Sequence, residues 1–277
     1  MKRGIVIFYG ECLSSYLLYA EIIQKHPSLV QCIVRFPIIP RKKKNDKTKM
    51  NPNIFNKILQ SSKFFLLFNF FTISYFNFFA YIFGNSIEKI AKKNKIDILN
   101  YSHVNSELIN ELKKFNPYWI LNNSSIILKN NIIDIPHYGI INYHCAKLPQ
   151  YRGAANIFWA LYNSEKEING TFHYVNEKID AGDIILETDP IAIDNNISAF
   201  KLWYAIRKEA YVGWKKIIQL MKNEKKIPSK KQNNAESVLR SFPNESILRS
   251  IRKSGHSFLT ISDIVFITKV AITGKIR

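Results

Sequence analysis

Five short apolar runs punctuate the chain: Gly4 to Tyr9, Leu29 to Phe36, Ile96 to Asn100, Trp119 to Asn122 and Gly139 to His144. Runs of this length bounded by turn residues read as strands buried on both faces. Helix-length amphipathic segments separate them, and parallel strands need such crossovers. The pattern therefore predicts an α/β fold with a Rossmann-like, mostly parallel sheet covered on both faces. Helices are expected over Ser14 to Lys25, Ser86 to Lys95 and from Asn105, where an Asn or Ser cap and an early Glu suit the helix dipole; Pro117 stops the last of these. Further on come a short helix (Ala155 to Tyr162), strands Thr171 to Val175 and Ile184 to Glu187, and a long helix from Ser198 to about Met221. In that helix Phe200, Trp203, Ile206, Ala210, Trp214 and Ile217 form one stripe, read as core packing. Residues 1–222 thus read as one domain with an aromatic-rich insertion at about 50–85. Residues 223–277 read as a small α+β appendage, namely a linker, a helix from Asn244 to Ser254, and a hairpin of Ser257 to Ile261 and Ile264 to Ile272 around Ser262-Asp263.

The glycine after the first strand, Gly10, stands alone, so a dinucleotide fingerprint is not supported. At 277 residues with 47% hydrophobic and 22% charged residues the chain is globular. Cys12, Cys32 and Cys145 are odd in number and widely spaced, which suits a reduced compartment. Met1-Lys-Arg leads straight into a strand with no secretory leader, so the expected location is cytoplasmic, with peripheral membrane contact left open. No His, Cys or acidic cluster has metal-ligand spacing, so no metal is expected. Formal net charge is +19, and residues 201–277 hold 17 Lys or Arg against 5 Asp or Glu. That excess fits an anionic partner such as RNA, a sugar nucleotide or a membrane face. It equally fits a Lys-, Asn- and Ile-rich composition with no partner behind it, and the run Arg41-Lys-Lys-Lys reads as an exposed basic loop.

Residues 64–83, rich in Phe, carry no charge over 20 positions, the length of a membrane span. Asn69, Thr72, Asn77, Ala80 and Gly84 recur at helical spacing, however, and lysines flank both ends. A buried or dimer-forming helix, an in-plane membrane-surface helix and a true span are the three readings.

The chemistry concentrates at the end of the run Gly139 to His144. On a strand, residues i and i+2 share a face, so Asn142 and His144 project side by side at the carboxyl end, where open α/β sheets bind ligands. An amide that can donate to a developing oxyanion, beside an imidazole that can take a proton, is what amine attack on a carbonyl requires. Asp180, in Ile179-Asp-Ala-Gly-Asp, can orient and stabilise the protonated ring. Cys145 faces the other way, which disfavours a thiol nucleophile, and His173 reads as a structural histidine or an indirect contact to the site.

Asn142, His144 and Asp180, with amide and carboxylate 38 positions apart, resemble the constellation of the folate-dependent formyltransferase family. The resemblance extends through Leu148-Pro-Gln-Tyr-Arg-Gly153, Phe158-Trp-Ala160 and Gly170-Thr-Phe-His-Tyr-Val175. The chain departs from the family at Ala146 and Lys147, where Ser and Leu are common, and at Tyr118, where an Asp often follows the proline. It implies 10-formyltetrahydrofolate as formyl donor, with Asn142, His144 and Asp180 catalytic. Asn122, Asn123, Ser124, Ile126, Val175, Ala181 and Gly182 would line the folate, and Gly10, Arg152 and Gly153 the acceptor. A nucleotide-linked amino sugar is the first acceptor it implies and methionyl-tRNA the second, although the appendage is too short for the β-barrel of methionyl-tRNA formyltransferases. Glycinamide ribonucleotide, water, a homodimer, and an inactive basic scaffold on the same fold complete the alternatives.

Overall fold

The structure is a computed structural model that describes residues 4–37, 63–223 and 226–275. The basic run at 41–44 and the start of the insertion lie outside the described residues. The principal elements are β1 (Ile5–Tyr9), α1 (Leu13–Lys25), β2 (Val30–Arg35) and a long helix α2 made of Lys63–Asn69, Phe70–Tyr75 and Phe76–Ile82. There follow α3 (Ile87–Lys93), β3 (Asp97–Asn100), α4 (Ser106–Phe115), β4 (Trp119–Asn123) and β5 (Ile140–His144). The chain continues with α5 (Asn156–Tyr162), β6 (Thr171–Tyr174), β7 (Ile184–Glu187), α6 (Ala199–Asn223), α7 (Glu245–Lys253) and α8 (Ile261–Thr273). Side-chain caps form at three of the expected helix starts: Ser86, Asn105 and Asn244 each accept from the backbone N–H three residues on.

The seven strands order as β3-β2-β1-β4-β5-β6-β7. Pairing is parallel through β5, after which β6 and β7 add antiparallel at the edge. Strand order reverses between β1 and β4, so a crevice opens outside the carboxyl ends there. Alternation along each strand sends side chains to two cores. Ile5, Ile7 and Tyr9 of β1 join a large cluster with α1 and α6, whereas Val6 and Phe8 join a smaller one with Leu108 and Leu112 of α4. Strands covered on both faces can be apolar throughout, and β1 is buried at all five positions.

The expected C-terminal hairpin does not form. Ile261–Thr273 is the helix α8, opened by a capping box in which the Thr260 hydroxyl accepts from Asp263 N while the Asp263 carboxylate accepts from Thr260 N. Asp263, Ile267, Val270 and Ala271 are its buried residues, a helical rather than an alternating spacing. The β-branched content that suggested strands is overridden by this cap and by packing against α2, where Tyr75 and Thr268 hydroxyls meet at 2.9 Å.

Residues 226–243, read as a linker, return to the sheet instead. Lys230 exchanges both backbone hydrogen bonds with Ile184, and Leu239–Arg240 pairs in parallel with Arg152–Gly153.

Candidate active site

Asn142 and His144 point from β5 to the same side of the sheet, the side of the smaller core. The alternation of β4 adds Asn122, and the antiparallel register of β6 places His173 directly opposite Asn142. Asp180 arrives from the loop between β6 and β7. Its Oδ2 lies 3.5 Å from His144 Nδ1, and its Oδ1 3.7 Å from His173 Nε2. Five polar side chains, from β4, β5, β6 and the loop after β6, thus meet at the carboxyl end of β5.

The hydrogen bonds assign the tautomer of His173. Its Nδ1 lies 2.7 Å from Tyr174 O, and a carbonyl only accepts, so Nδ1 carries the proton. Nε2 is then the acceptor for Asn142 Nδ2 at 3.1 Å. Burial pushes the His173 pKa down, against the opposing pull of the Asp180 carboxylate. His173 is therefore a neutral group, and its approach to Asp180 is not an ion pair.

Asn142 Oδ1 accepts from Asn122 Nδ2 at 3.4 Å, and Asn122 Oδ1 in turn accepts from the Ser124 hydroxyl (2.6 Å) and the Ser124 N–H (3.2 Å). This chain holds the Asn142 amide with its oxygen toward β4 and its nitrogen toward His173. One Nδ2 hydrogen serves His173, which leaves the second for a ligand oxygen.

His144 is buried, with Nε2 2.5 Å from Tyr151 O and 3.0 Å from Asn156 Nδ2. The carbonyl only accepts, so Nε2 carries the proton, the Asn156 amide turns its otherwise unpartnered oxygen to it, and Nδ1 faces the Asp180 carboxylate. A second proton on Nδ1 would bridge to Oδ2. The site thus offers an acceptor to each ring nitrogen, the arrangement for receiving a proton and holding it.

Asp180 has φ +48°, the left-handed region that a short polar residue tolerates better than most. Several groups keep it there. Gly153 N donates to Asp180 Oδ2 (2.9 Å), Arg152 Nε donates to Ile179 O (2.7 Å), and Gln232 Nε2 donates to both Asp180 O (3.0 Å) and Gly182 O (2.6 Å). At Gly182 a Cβ would stand 1.8 Å from Tyr174 O, so the loop demands glycine by close approach and not by its φ.

The remaining expected residues divide. Ile126 and Val175 pack on the smaller core at the rim of the cluster, next to Ser124 and Ala181-Gly182. Asn123 is turned to the opposite face, where its amide donates to the Ser14 and Ser15 hydroxyls (3.2 and 2.9 Å). Gly10 is buried beyond β1, two strands from His144, and no described contact joins it to the cluster. Arg152 and Gly153 support the Asp180 loop as just described. Cys145 lies on the α1 face, and burial raises its pKa, which leaves a thiol and not a nucleophilic thiolate. Sequence reasoning missed Asn156 and Gln232. The first opens α5 with its amide against His144; the second sits in the stretch read as linker.

An amide, an imidazole and a carboxylate gathered at the carboxyl ends of an open α/β sheet can serve acyl transfer. Residues 83–218, just under half of the chain, match the model of the formyl transferase family, so this stretch carries a formyl transferase domain. The methionyl-tRNA formyltransferase of Clostridioides difficile (strain 630) is 33% identical over 165 residues, 58% of this chain and 52% of that protein. The chain therefore spans about half the length of the curated relatives it matches. Among solved structures, the N-formyltransferase of Helicobacter canadensis, in complex with folinic acid and dTDP-3-aminofucose, superimposes with a TM-score of 0.56 at 22% identity, covering 87% of this chain and 71% of that one. The phosphoribosylglycinamide formyltransferase of Streptococcus pneumoniae TIGR4 gives 0.53 at 14% identity, covering 79% and 98%. These likenesses show a shared fold.

Proposed function

We propose that the protein moves a formyl group from 10-formyltetrahydrofolate to a primary amine, and that the amine sits on a nucleotide-linked amino sugar. The observation that carries the reading is the convergence of one spare Asn142 N–H, the His144 ring and the Asp180 carboxylate at one point beyond β5. That donor set fits a formyl oxygen on one side and an amine on the other. The folate, when bound, supplies the formyl carbon. Asn122, Ser124, Ile126, Val175, Ala181 and Gly182 would border it, whereas Asn123 is committed to α1.

In this scheme Asn142 donates to the carbonyl oxygen as negative charge grows there. His144 takes the proton that leaves the attacking amine and gives it to the folate nitrogen as that nitrogen's bond to the formyl carbon breaks, while Asp180 stabilises the charged ring across Nδ1. His173, neutral, accepts from Asn142 and so keeps the amide nitrogen turned to the reacting oxygen.

An anionic acceptor is favoured by Arg207 on α6. Its Nε donates to Ser14 Oγ in the first turn of α1 (2.9 Å), its guanidinium lies 4.0 Å over the Trp203 ring, and one terminal nitrogen is buried without a partner. A phosphate there would satisfy that nitrogen and meet the positive end of α1. The dTDP-sugar complex of the Helicobacter canadensis protein supports a nucleotide sugar. Identity to methionyl-tRNA formyltransferases over 165 residues supports tRNA as the second reading. An inactive scaffold is disfavoured, since Asn142, His144 and Asp180 are all retained and gather at one end of β5.

The test is formyl loss from 10-formyltetrahydrofolate with a dTDP-amino sugar, methionyl-tRNA or glycinamide ribonucleotide as acceptor. Turnover with the sugar is expected. Turnover with methionyl-tRNA alone, falling steeply with salt, overturns the acceptor, and no amine-dependent loss with any of the three overturns the activity.

A further inference from the structure

The helix α2 and the helix α8 lie side by side and share one uncovered apolar face. On α2, Leu66, Phe70, Ser74, Phe78 and Ile82 follow at four-residue steps and are all exposed, Phe78 at 62%. Four-residue steps drift around a helix of 3.6 residues per turn. Here Phe70–Tyr75 is a π-turn, whose wider winding takes up part of that drift and keeps the five positions in line. The carbonyls freed by the widened turn are met from within: Thr72 Oγ1 donates to Phe68 O (2.9 Å) and Asn69 Nδ2 to Phe65 O (2.7 Å). Beside this stripe α8 exposes Ile261 (82%) and Val265 (63%). An exposed apolar face of this extent on a folded protein marks an interaction surface.

A membrane span is ruled out by the opposite side of the same helix. Although α2 is apolar enough to cross a bilayer by composition, Phe65, Phe68, Thr72, Phe76 and Ala80 are buried in the large core. Phe65 and Phe68 both meet Phe158 edge to face, and Asn77 Nδ2 donates to Glu11 O (2.6 Å). Withdrawing α2 would open that core. Its outer face alone is free to meet a partner.

We propose that this face docks in the plane of an anionic lipid membrane. Charge decides between the occupants. Residues 64–87 contain no carboxylate, and residues 256–275 contain only Asp263, which is buried in its capping box. The rim is basic, with exposed Lys269 and Lys275 on the α8 side and Lys89 held 4.6 Å over the Tyr81 ring on the α2 side. An apolar aromatic stripe with a lysine rim complements the acyl boundary and the anionic headgroups together. A two-fold dimer through the same face would set lysine rims against each other, and among the described residues of α2 and α8 the one carboxylate is the buried Asp263, while Glu88 beside Lys89 is already paired with Arg35 and Lys92. Both helices lie outside residues 83–218, the stretch that the family model matches. The Asn77–Glu11 bond also places α2 at the carboxyl end of β1, the end of the sheet that carries Asn142 and His144. Docking would hold the site's entrance near the headgroups.

The test is flotation of the full chain with phosphatidylcholine vesicles, with and without phosphatidylglycerol. Binding that requires phosphatidylglycerol and weakens with salt is expected. The triple variant Phe70→Ser, Phe78→Ser, Val265→Ser alters exposed positions only and should lower partitioning about a hundredfold while thermal unfolding stays cooperative. Lys269→Gln and Lys275→Gln should each lower it about fivefold. Failure of the wild type to float, undiminished flotation of the triple variant, or a wild-type dimer by light scattering that the triple variant dissolves would each overturn the proposal. None of these readouts depends on formyl transfer, so the docking and the activity can fail separately.

Discussion

Removal of the Asn142 amide separates a site that stabilises charge from one that merely binds. In Asn142→Ala the one hydrogen-bond donor aimed at the reacting oxygen is lost. A donor of that kind contributes about 2.7–4 kcal/mol to the transition state, so turnover should fall about 100- to 1000-fold. Folate affinity should change far less, since the residues bordering the folate keep their places. The structure adds a second cost. His173 Nε2 and Asn122 Nδ2 both lose their partner in Asn142. A buried group left unpaired costs about 1–3 kcal/mol, which for a chain of this size lowers Tm by about 2–4 °C per kcal/mol. The assay is single-turnover formyl transfer at saturating folate, with a melting curve and folate titration on the same preparation. A folded variant that binds folate and turns over within a few-fold of wild type would refute the role given to Asn142, whatever the acceptor.

Four other outcomes follow from the same geometry. Asp180→Asn should cut turnover at least tenfold and flatten the pH–rate profile, because the carboxylate beside His144 Nδ1 is gone; an unchanged profile would remove Asp180 from the mechanism. Gln232→Ala should raise KM for folate and increase hydrogen exchange in residues 178–183, since Gln232 ties two carbonyls of the Asp180 loop; unchanged exchange would show that the tie is dispensable. Gly182→Ala should destabilise the fold by about 2–4 kcal/mol, read in urea, because its Cβ cannot coexist with Tyr174 O. His173 supplies a stability–pH prediction. Its folded pKa lies below the unfolded value, so the unfolded chain binds the proton more readily and stability falls as pH drops below the unfolded pKa. The contribution is whole above about pH 6.5 and is lost at up to about 1.4 kcal/mol per pH unit below it. His173→Gln should flatten that limb of the Tm–pH curve, and an unaltered limb would mean that other groups set it.

What could be read ahead of the structure follows how local each cause is. The strands of the seven-stranded sheet, the helix starts at Ser86, Asn105 and Asn244, and the shared face of Asn142 and His144 depend on neighbours within a few residues, and all are found. Asp180 was placed by resemblance, since no spacing rule brings residue 180 to residue 144. His173 was visible as a histidine on a strand, but its partner depends on β6 joining β5 antiparallel in a register that turns and crossovers decide. Gln232 and the Leu239–Arg240 pair lay hidden in a Lys/Asn-rich stretch, because composition reports exposure and not where a chain returns. The C-terminal hairpin failed for a reason the sequence did contain. Thr260 and Asp263 stand three apart, as a capping box requires, while Ile267, Val270 and Ala271 repeat at helical steps. Counting β-branched residues masked that signal, because propensity weighs each residue alone while a cap and a period weigh their relation. The same distinction bears on α2, whose composition is that of a membrane span. Only the relation among Phe68, Thr72, Phe76 and Ala80, buried together on one side, makes it a surface helix with one free face.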